Sequence, residues 1–147
     1  MALSEWMAGQ QRRWSSAACS NRRMNVPSYE APSSLAELLR RYANGERKFP
    51  GVDLSGEDFS GVTLDGADFE PHSWFFDAKF DGASLRTTSF RECNVKCASF
   101  VGADLTGANF ELAAIESIDL DGAILPGARF VGATFYGITL TESDTFP

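Results

Sequence analysis

The side chains able to do chemistry are few in this chain, and their spacing limits what they can do. His72 is the single histidine; it follows Pro71, a setting that suits an exposed corner residue better than an acid–base group. Cys93 and Cys97 stand four apart without the partner pair that a zinc site needs, so Cys93 reads as a small inward-facing residue. With Cys19 they make three cysteines, an odd set and not a disulfide framework. Asp53, Asp58, Asp68 and Asp104 each precede an apolar residue by one position. They spread over several faces and form no carboxylate pair for general acid–base work. No catalytic, cofactor or metal site is expected, and the chain reads as a non-enzyme.

The elements that position these residues follow a five-residue period. Leu54, Phe59, Leu64 and Phe69 set a register that resumes after one extra residue at Phe75 and runs Phe80, Leu85, Phe90, Val95, Phe100, Leu105, Phe110, Ile115, Leu120, Leu125, Phe130, Phe135 and Leu140. Two residues before these centres the position is usually Ala, as at Ala67, Ala78, Ala98 and Ala108. Two residues after them it is commonly Gly, as at Gly56, Gly66, Gly102 and Gly127. Twelve phenylalanines in 147 residues are accounted for largely by this register.

Upstream the pattern is different. Residues 1–33 are rich in Ser, Arg and Gln with no hydrophobic period, as in a disordered leader. Two other readings stay open: a weak resemblance to an organelle transit peptide, and translation beginning at Met24. Residues 34–45 read as a helix. Ser34 and Glu37 form a capping box, Leu35, Leu38, Leu39 and Tyr42 share one face, Arg40 and Arg41 sit at the negative helix end, and Gly45 is placed to stop it. The expected domains are 1–33 as leader, 34–48 as capping helix and connection, and 49–147 as the repeat.

Gly102-Ala-Asp-Leu-Thr-Gly-Ala-Asn-Phe110 and Val62-Thr-Leu-Asp-Gly-Ala-Asp-Phe69 resemble the A-(D/N)-L/F-x-G signature of pentapeptide-repeat proteins. Leu38-Leu-Arg-Arg-Tyr-Ala-Asn-Gly-Glu-Arg-Lys-Phe49 is similar to the capping-helix leader of cyanobacterial members of that family. The resemblance implies an all-β solenoid, a right-handed quadrilateral β-helix of about four to five coils with a short N-terminal capping helix, and four pentapeptides per coil. Sorted by fours, the centres fall into columns: Phe49, Phe69, Phe90, Phe110, Phe130; Leu64, Leu85, Leu105, Leu125; Phe59, Phe80, Phe100, Leu120, Leu140; and a mixed column of Leu54, Phe75, Val95, Ile115, Phe135. A single coil cannot bury its centres, whereas coils stacked ~4.8 Å apart bury them on one another. A leucine-rich repeat also has a period near twenty, but its uneven spacing and Asn ladder are absent.

Solenoid ends must be covered. The helix is expected over Leu54 and Phe59. At the other end, Phe135 and Leu140 are covered by the last residues, with Phe146 folded over them, or by a second copy. End-to-end homodimerisation through the C-terminal end is therefore one expectation.

Charge is divided: residues 1–50 carry eight Lys/Arg against four Glu, and residues 51–147 carry five against sixteen Asp/Glu. An acidic body disfavours direct nucleic-acid binding and anionic membranes. No apolar run approaches a membrane span and no export signal is visible, so a cytoplasmic protein is expected. Trp74 and Phe76 flank Phe75 and point outward, and Tyr136 lies three coils along the column of Phe76. Clustered exposed aromatics anchor interfaces, although they can also pack locally over the Pro71–His72 corner. The next face carries Asp58, Asp81, Asp119, Asp121 and Glu142, relieved by Lys79, and is expected to form the most acidic strip. Two functional readings follow: a non-enzymatic interaction or scaffold module with an unidentified protein partner, or, by resemblance to acidic family members, a DNA-mimicking protein that engages gyrase.

Overall fold

The computed structural model describes residues 28–144; most of the leader, Met24 and Phe146 lie outside the described residues. The unit that contains the repeat begins at Ala31.

It opens with helix α1, Leu35–Ala43. Ser34 is extended, and its Oγ accepts from the Glu37 amide at 3.2 Å. The Glu37 carboxylate does not close the box on Ser34. It accepts instead from the Ser33 amide and hydroxyl at 3.0 and 3.2 Å and pairs with Arg41 one turn on. The helix ends two residues before the expected limit: the Asn44 amide already closes on Arg40 and Arg41, and Gly45 takes the left-handed φ of +98° that ends many helices. Leu38 is fully buried, with Leu35, Leu39 and Tyr42 packed on the core. The Tyr42 hydroxyl donates to the Asp65 carbonyl at 2.8 Å, and the Arg47 guanidinium lies 3.8 Å from the Tyr42 ring centroid.

From Lys48 onward the chain winds as a four-sided coil. Parallel bridges join residues immediately before the centres, such as Asp58 to Lys79, Lys79 to Ser99 and Ser99 to Asp119. The step is twenty residues except where a bridge spans the Pro71–His72 corner, as from Asp53 to Trp74, where one extra residue is absorbed. There His72 takes a left-handed φ of 63°. From Phe49 through Ile115 each centre amide donates to the coil above; Phe80 to Ser99 and Phe90 to Asn109 are both 2.7 Å. The backbone is thus satisfied between coils rather than within strands.

Inside, Phe49, Phe69, Phe90, Phe110 and Phe130 stack with successive centroids 6.0, 5.4, 5.0 and 5.0 Å apart. Phe59, Phe80 and Phe100 stack at 4.5 and 4.8 Å. The two stacks meet edge to face, as Phe80 and Phe90 do at 5.7 Å, the geometry that the ring quadrupole favours. The small positions also point inward. Glu57 is exposed, but the two buried polar residues at this position each find a carbonyl: Ser73 Oγ donates to Phe69 at 2.7 Å, and Thr88 Oγ1 to Leu64 at 2.9 Å.

Between sides the centre carbonyl accepts from the amide three residues on, as from Ala67 to Leu64, and the third turn residue has positive φ, the requirement of a type II turn. The backbone demands this conformation even where glycine is missing: Asp77, Thr87, Glu92, Cys97, Leu112 and Ser117 have φ between 55° and 59°. At Gly132, with φ 78°, a Cβ would in addition lie 2.6 Å from Leu112 Cδ2 one coil earlier, the end of an exposed side chain that would have to turn aside.

The last expected unit is corrected by the structure. Leu140 does not stack on Leu120. Tyr136 and Gly137 are both left-handed (φ 50° and 79°), which makes a two-residue hairpin. Thr134–Phe135 (β1) therefore pairs antiparallel with Ile138–Thr139 (β2). Leu140 then bonds back to Gly132 and Ala133. Centres are fully buried through Ile115, but Leu120, Leu125, Phe130 and Phe135 are only partly covered.

Candidate interaction surface

Every outward position beside a centre alternates with an inward one, so the register decides which side chains reach solvent. Trp74 precedes Phe75 and bridges Asp53 on one side and Asn94 on the other. Phe76 follows Phe75. Because Phe75 fills the interior, its two neighbours are turned out, and they stand 51% and 46% exposed. Trp74 stands on the flat side of the coil, and Phe76 on the turn that ends that side, Phe75–Ala78.

Tyr136 does not extend this pair. Lys96 and Glu116 occupy the two intervening coils of its column, ion-paired at 3.1 Å. Tyr136 packs edge-on against Phe135 at 4.8 Å and hydrogen-bonds Ser117, so it belongs to the terminal hairpin. The acidic residues are likewise tied locally. Asp81 accepts from the Ser99 hydroxyl and the Val101 amide, and Asp119 accepts from the Asp121 amide at 3.0 Å. In their columns Asp81 and Asp121 are separated by Val101, and Asp58 and Asp119 by Lys79 and Ser99, so the carboxylates form no continuous strip. The Asp58 carboxyl is held below the usual range by the Ser60 hydroxyl and amide and then by Lys79. Asp104 is held down in the same way by Thr106, with Arg86 assisting.

The residues weighed for chemistry are dispersed. His72 is an exposed corner residue. Cys93 is buried, its thiol pushed up to about 12 by burial, while Cys97 is exposed. Among the described residues no three His, Cys, Asp or Glu are grouped to hold a metal. No described helix is long and apolar enough to cross a membrane. A second set of exposed apolar residues, Ile124, Val131 and Ile138, gathers toward the C-terminal end. The sequence carried a signal for Ile124 and Val131, since each lies beside a centre where most units have a polar residue; Ile138 stands two residues before Leu140, where the register expects a small inward residue.

The family model for pentapeptide repeats matches residues 75–111 and 108–144 in eight copies. The chain is a pentapeptide-repeat protein, and its four-sided coil is the right-handed quadrilateral β-helix of that family. It is similar to the pentapeptide-repeat protein alr5209 from Nostoc Pcc 7120, with 26% identity over 79% of this chain and 93% of that one and a TM-score of 0.62. QnrB1, a plasmid-mediated fluoroquinolone resistance protein, matches at 21% identity over 58% of this chain and 64% of its own, TM-score 0.35. HetL, also from Nostoc and involved in heterocyst differentiation regulation, matches at 16% over 74% and 100%, TM-score 0.25. No curated protein matches the chain.

Proposed function

We propose that this chain is a non-enzymatic interaction module, a rigid β-helix that presents the Trp74–Phe76 pair to a protein partner, with α1 covering its first coil. The observation that carries this reading is the outward exposure of two large aromatics on either side of Phe75, one on the side of the solenoid and one on the turn that ends it. The ladder neighbours of Trp74, Asp53 and Asn94, are polar. Large aromatics are the usual energetic anchors of protein interfaces, and a rigid scaffold holds them with little ordering cost on binding. The Trp74→Ala/Phe76→Ala double variant leaves every inward position intact. Affinity capture with wild type and this variant, compared by quantitative mass spectrometry, is expected to show specific partners lost from the variant. Identical partner sets would remove the pair from the function.

A gyrase-directed, DNA-mimicking role rests on the acidic balance of residues 51–147. The local ties of Asp81 and Asp119, and the basic and neutral residues between the carboxylates, weigh against a duplex-like charge track. A supercoiling assay that shows inhibition or protection by micromolar protein would favour that role over the aromatic interface.

A further inference from the structure

We infer that the C-terminal end of the coil is a strand-docking site that takes an extended segment of another protein with the pattern cation, large apolar residue, cation. The site exists because the hairpin turns the chain back before a further side is laid over Leu120. One coil earlier, the Phe100 and Gly102 amides donate to the Asp119 and Asp121 carbonyls at 2.7 and 2.9 Å, and the Asp119 amide donates to Ala98 at 3.0 Å. One coil later the equivalent groups are the Leu120 and Gly122 amides and the Ile118 carbonyl. Among the described residues none of the three has a backbone partner. The same holds around the corner for the Leu125 and Gly127 amides. An unpaired edge of this kind is the template for strand addition.

The register dictates what the added strand carries. In every preceding coil the next centre lies on the one before it, as Phe100 lies on Phe80 at 4.8 Å. Above Leu120 no described residue takes that place, and the described residues leave a cavity of about 510 Å³ lined by Ile118, Leu120, Ala123, Leu125 and Phe135. A single Leu- or Phe-sized side chain would enter it. The residues before and after that side chain fall next to Asp119 and Asp121, both exposed. Opposite charges facing each other across a ladder are favourable, and the chain uses this pairing itself where Lys79 bridges Asp58. The same carboxylates disfavour a second copy as the occupant. Two C-terminal ends brought together would crowd Asp119, Asp121 and the exposed Glu142 of each copy against their counterparts.

The test uses the whole chain and a blocked, fluorescein-labelled heptapeptide, lysine–phenylalanine–lysine flanked by two threonines on each side, read by fluorescence anisotropy. Saturable binding is expected, at least tenfold tighter than for the same peptide with glutamate in place of lysine. N-methylation of the first lysine, whose amide would donate to Ile118, is expected to weaken binding at least fivefold. The surface variant Asp119→Lys/Asp121→Lys should invert the preference between the two peptides, and Trp74→Ala/Phe76→Ala should leave it unchanged. That last arm separates this site from the aromatic face, so either can fail alone. Equal binding of the two peptides, indifference to N-methylation, or no saturation by millimolar peptide would overturn the proposal. So would sedimentation showing a dimer that Leu120→Lys dissociates, because a second copy would then hold the edge.

Discussion

Replacing Phe90 with alanine probes the stacked interior at its most connected point. The ring is fully buried, stacks on Phe69 and Phe110 at 5.4 and 5.0 Å, and meets Phe75, Phe80 and Phe100 edge-on at 5.7, 5.7 and 5.9 Å. Truncating a buried Phe to Ala costs about 3–5 kcal/mol, depending on how far the site collapses. Collapse is restricted here, because the backbone of each coil is fixed by amides donated to the next, and aromatic pairs add about 0.5–1.5 kcal/mol each beyond their buried area. The loss should therefore fall at the top of that range, about 4–5 kcal/mol. Phe90→Leu keeps most of the buried apolar volume but loses the ring pairs with Phe69, Phe110, Phe75, Phe80 and Phe100, so it should cost less than the alanine variant yet still about 1–3 kcal/mol. Urea unfolding followed by circular dichroism measures both, with the midpoint and slope compared to wild type. A cost below about 2 kcal/mol for Phe90→Ala, or equal costs for the two variants, would refute the reasoning that stacked rings carry this core.

Three further outcomes follow from the turns, the carboxylates and the thiols. Thr87 holds a left-handed φ of 55°, a conformation costing a non-glycine residue about 1–2 kcal/mol. Against the entropy of an added glycine, about 0.5–1 kcal/mol, Thr87→Gly should leave stability equal or raise it by up to about 1.5 kcal/mol, and a clear loss in thermal unfolding would contradict the turn assignment. Asp104 is held low by the Thr106 hydroxyl and amide, then by Arg86. A depressed folded pKa contributes stability above the unfolded value that is lost as pH falls through the folded one. Unfolding midpoints should therefore drop below about pH 4, the ordinary aspartate value being 3.8, and Asp104→Asn should flatten that drop; an unchanged pH profile in the variant would count against the pairing. Iodoacetamide at pH 8, mapped by peptide mass spectrometry, should modify Cys97 in the native protein and spare Cys93 until denaturant is added. Native labelling of Cys93 at a similar rate would show that its slot is not closed.

How much was legible in the sequence depended on whether a feature repeats. The coil is legible because each side needs one centre, one small inward residue and one left-handed turn residue, and Phe80, Ala78 and Gly82 restate the same requirements as Phe100, Ala98 and Gly102. The corner at Pro71–His72 is also legible, as the place where one residue must be absorbed to keep Phe69 and Phe90 in one column. The C-terminal hairpin was not. Leu140 keeps the five-residue register, so the pattern alone continues the coil. What diverts the chain is a local choice at Tyr136–Gly137, where two consecutive left-handed residues favour a hairpin. Tyr136 was grouped with Phe76 by its column, but column membership says nothing of the Lys96–Glu116 pair between them. That the Leu120 and Gly122 amides have no backbone partner among the described residues follows from the hairpin and is invisible until it is known.

Site-specific photo-crosslinking tests the central claim most directly. A photoreactive phenylalanine analogue placed at Trp74 is compared with the same analogue at Thr63, on another side of the coil, in cells that express the full chain. The aromatic-face account predicts discrete protein adducts from position 74 that are absent from position 63. The same adducts from both positions, or adducts from position 63 alone, would contradict it.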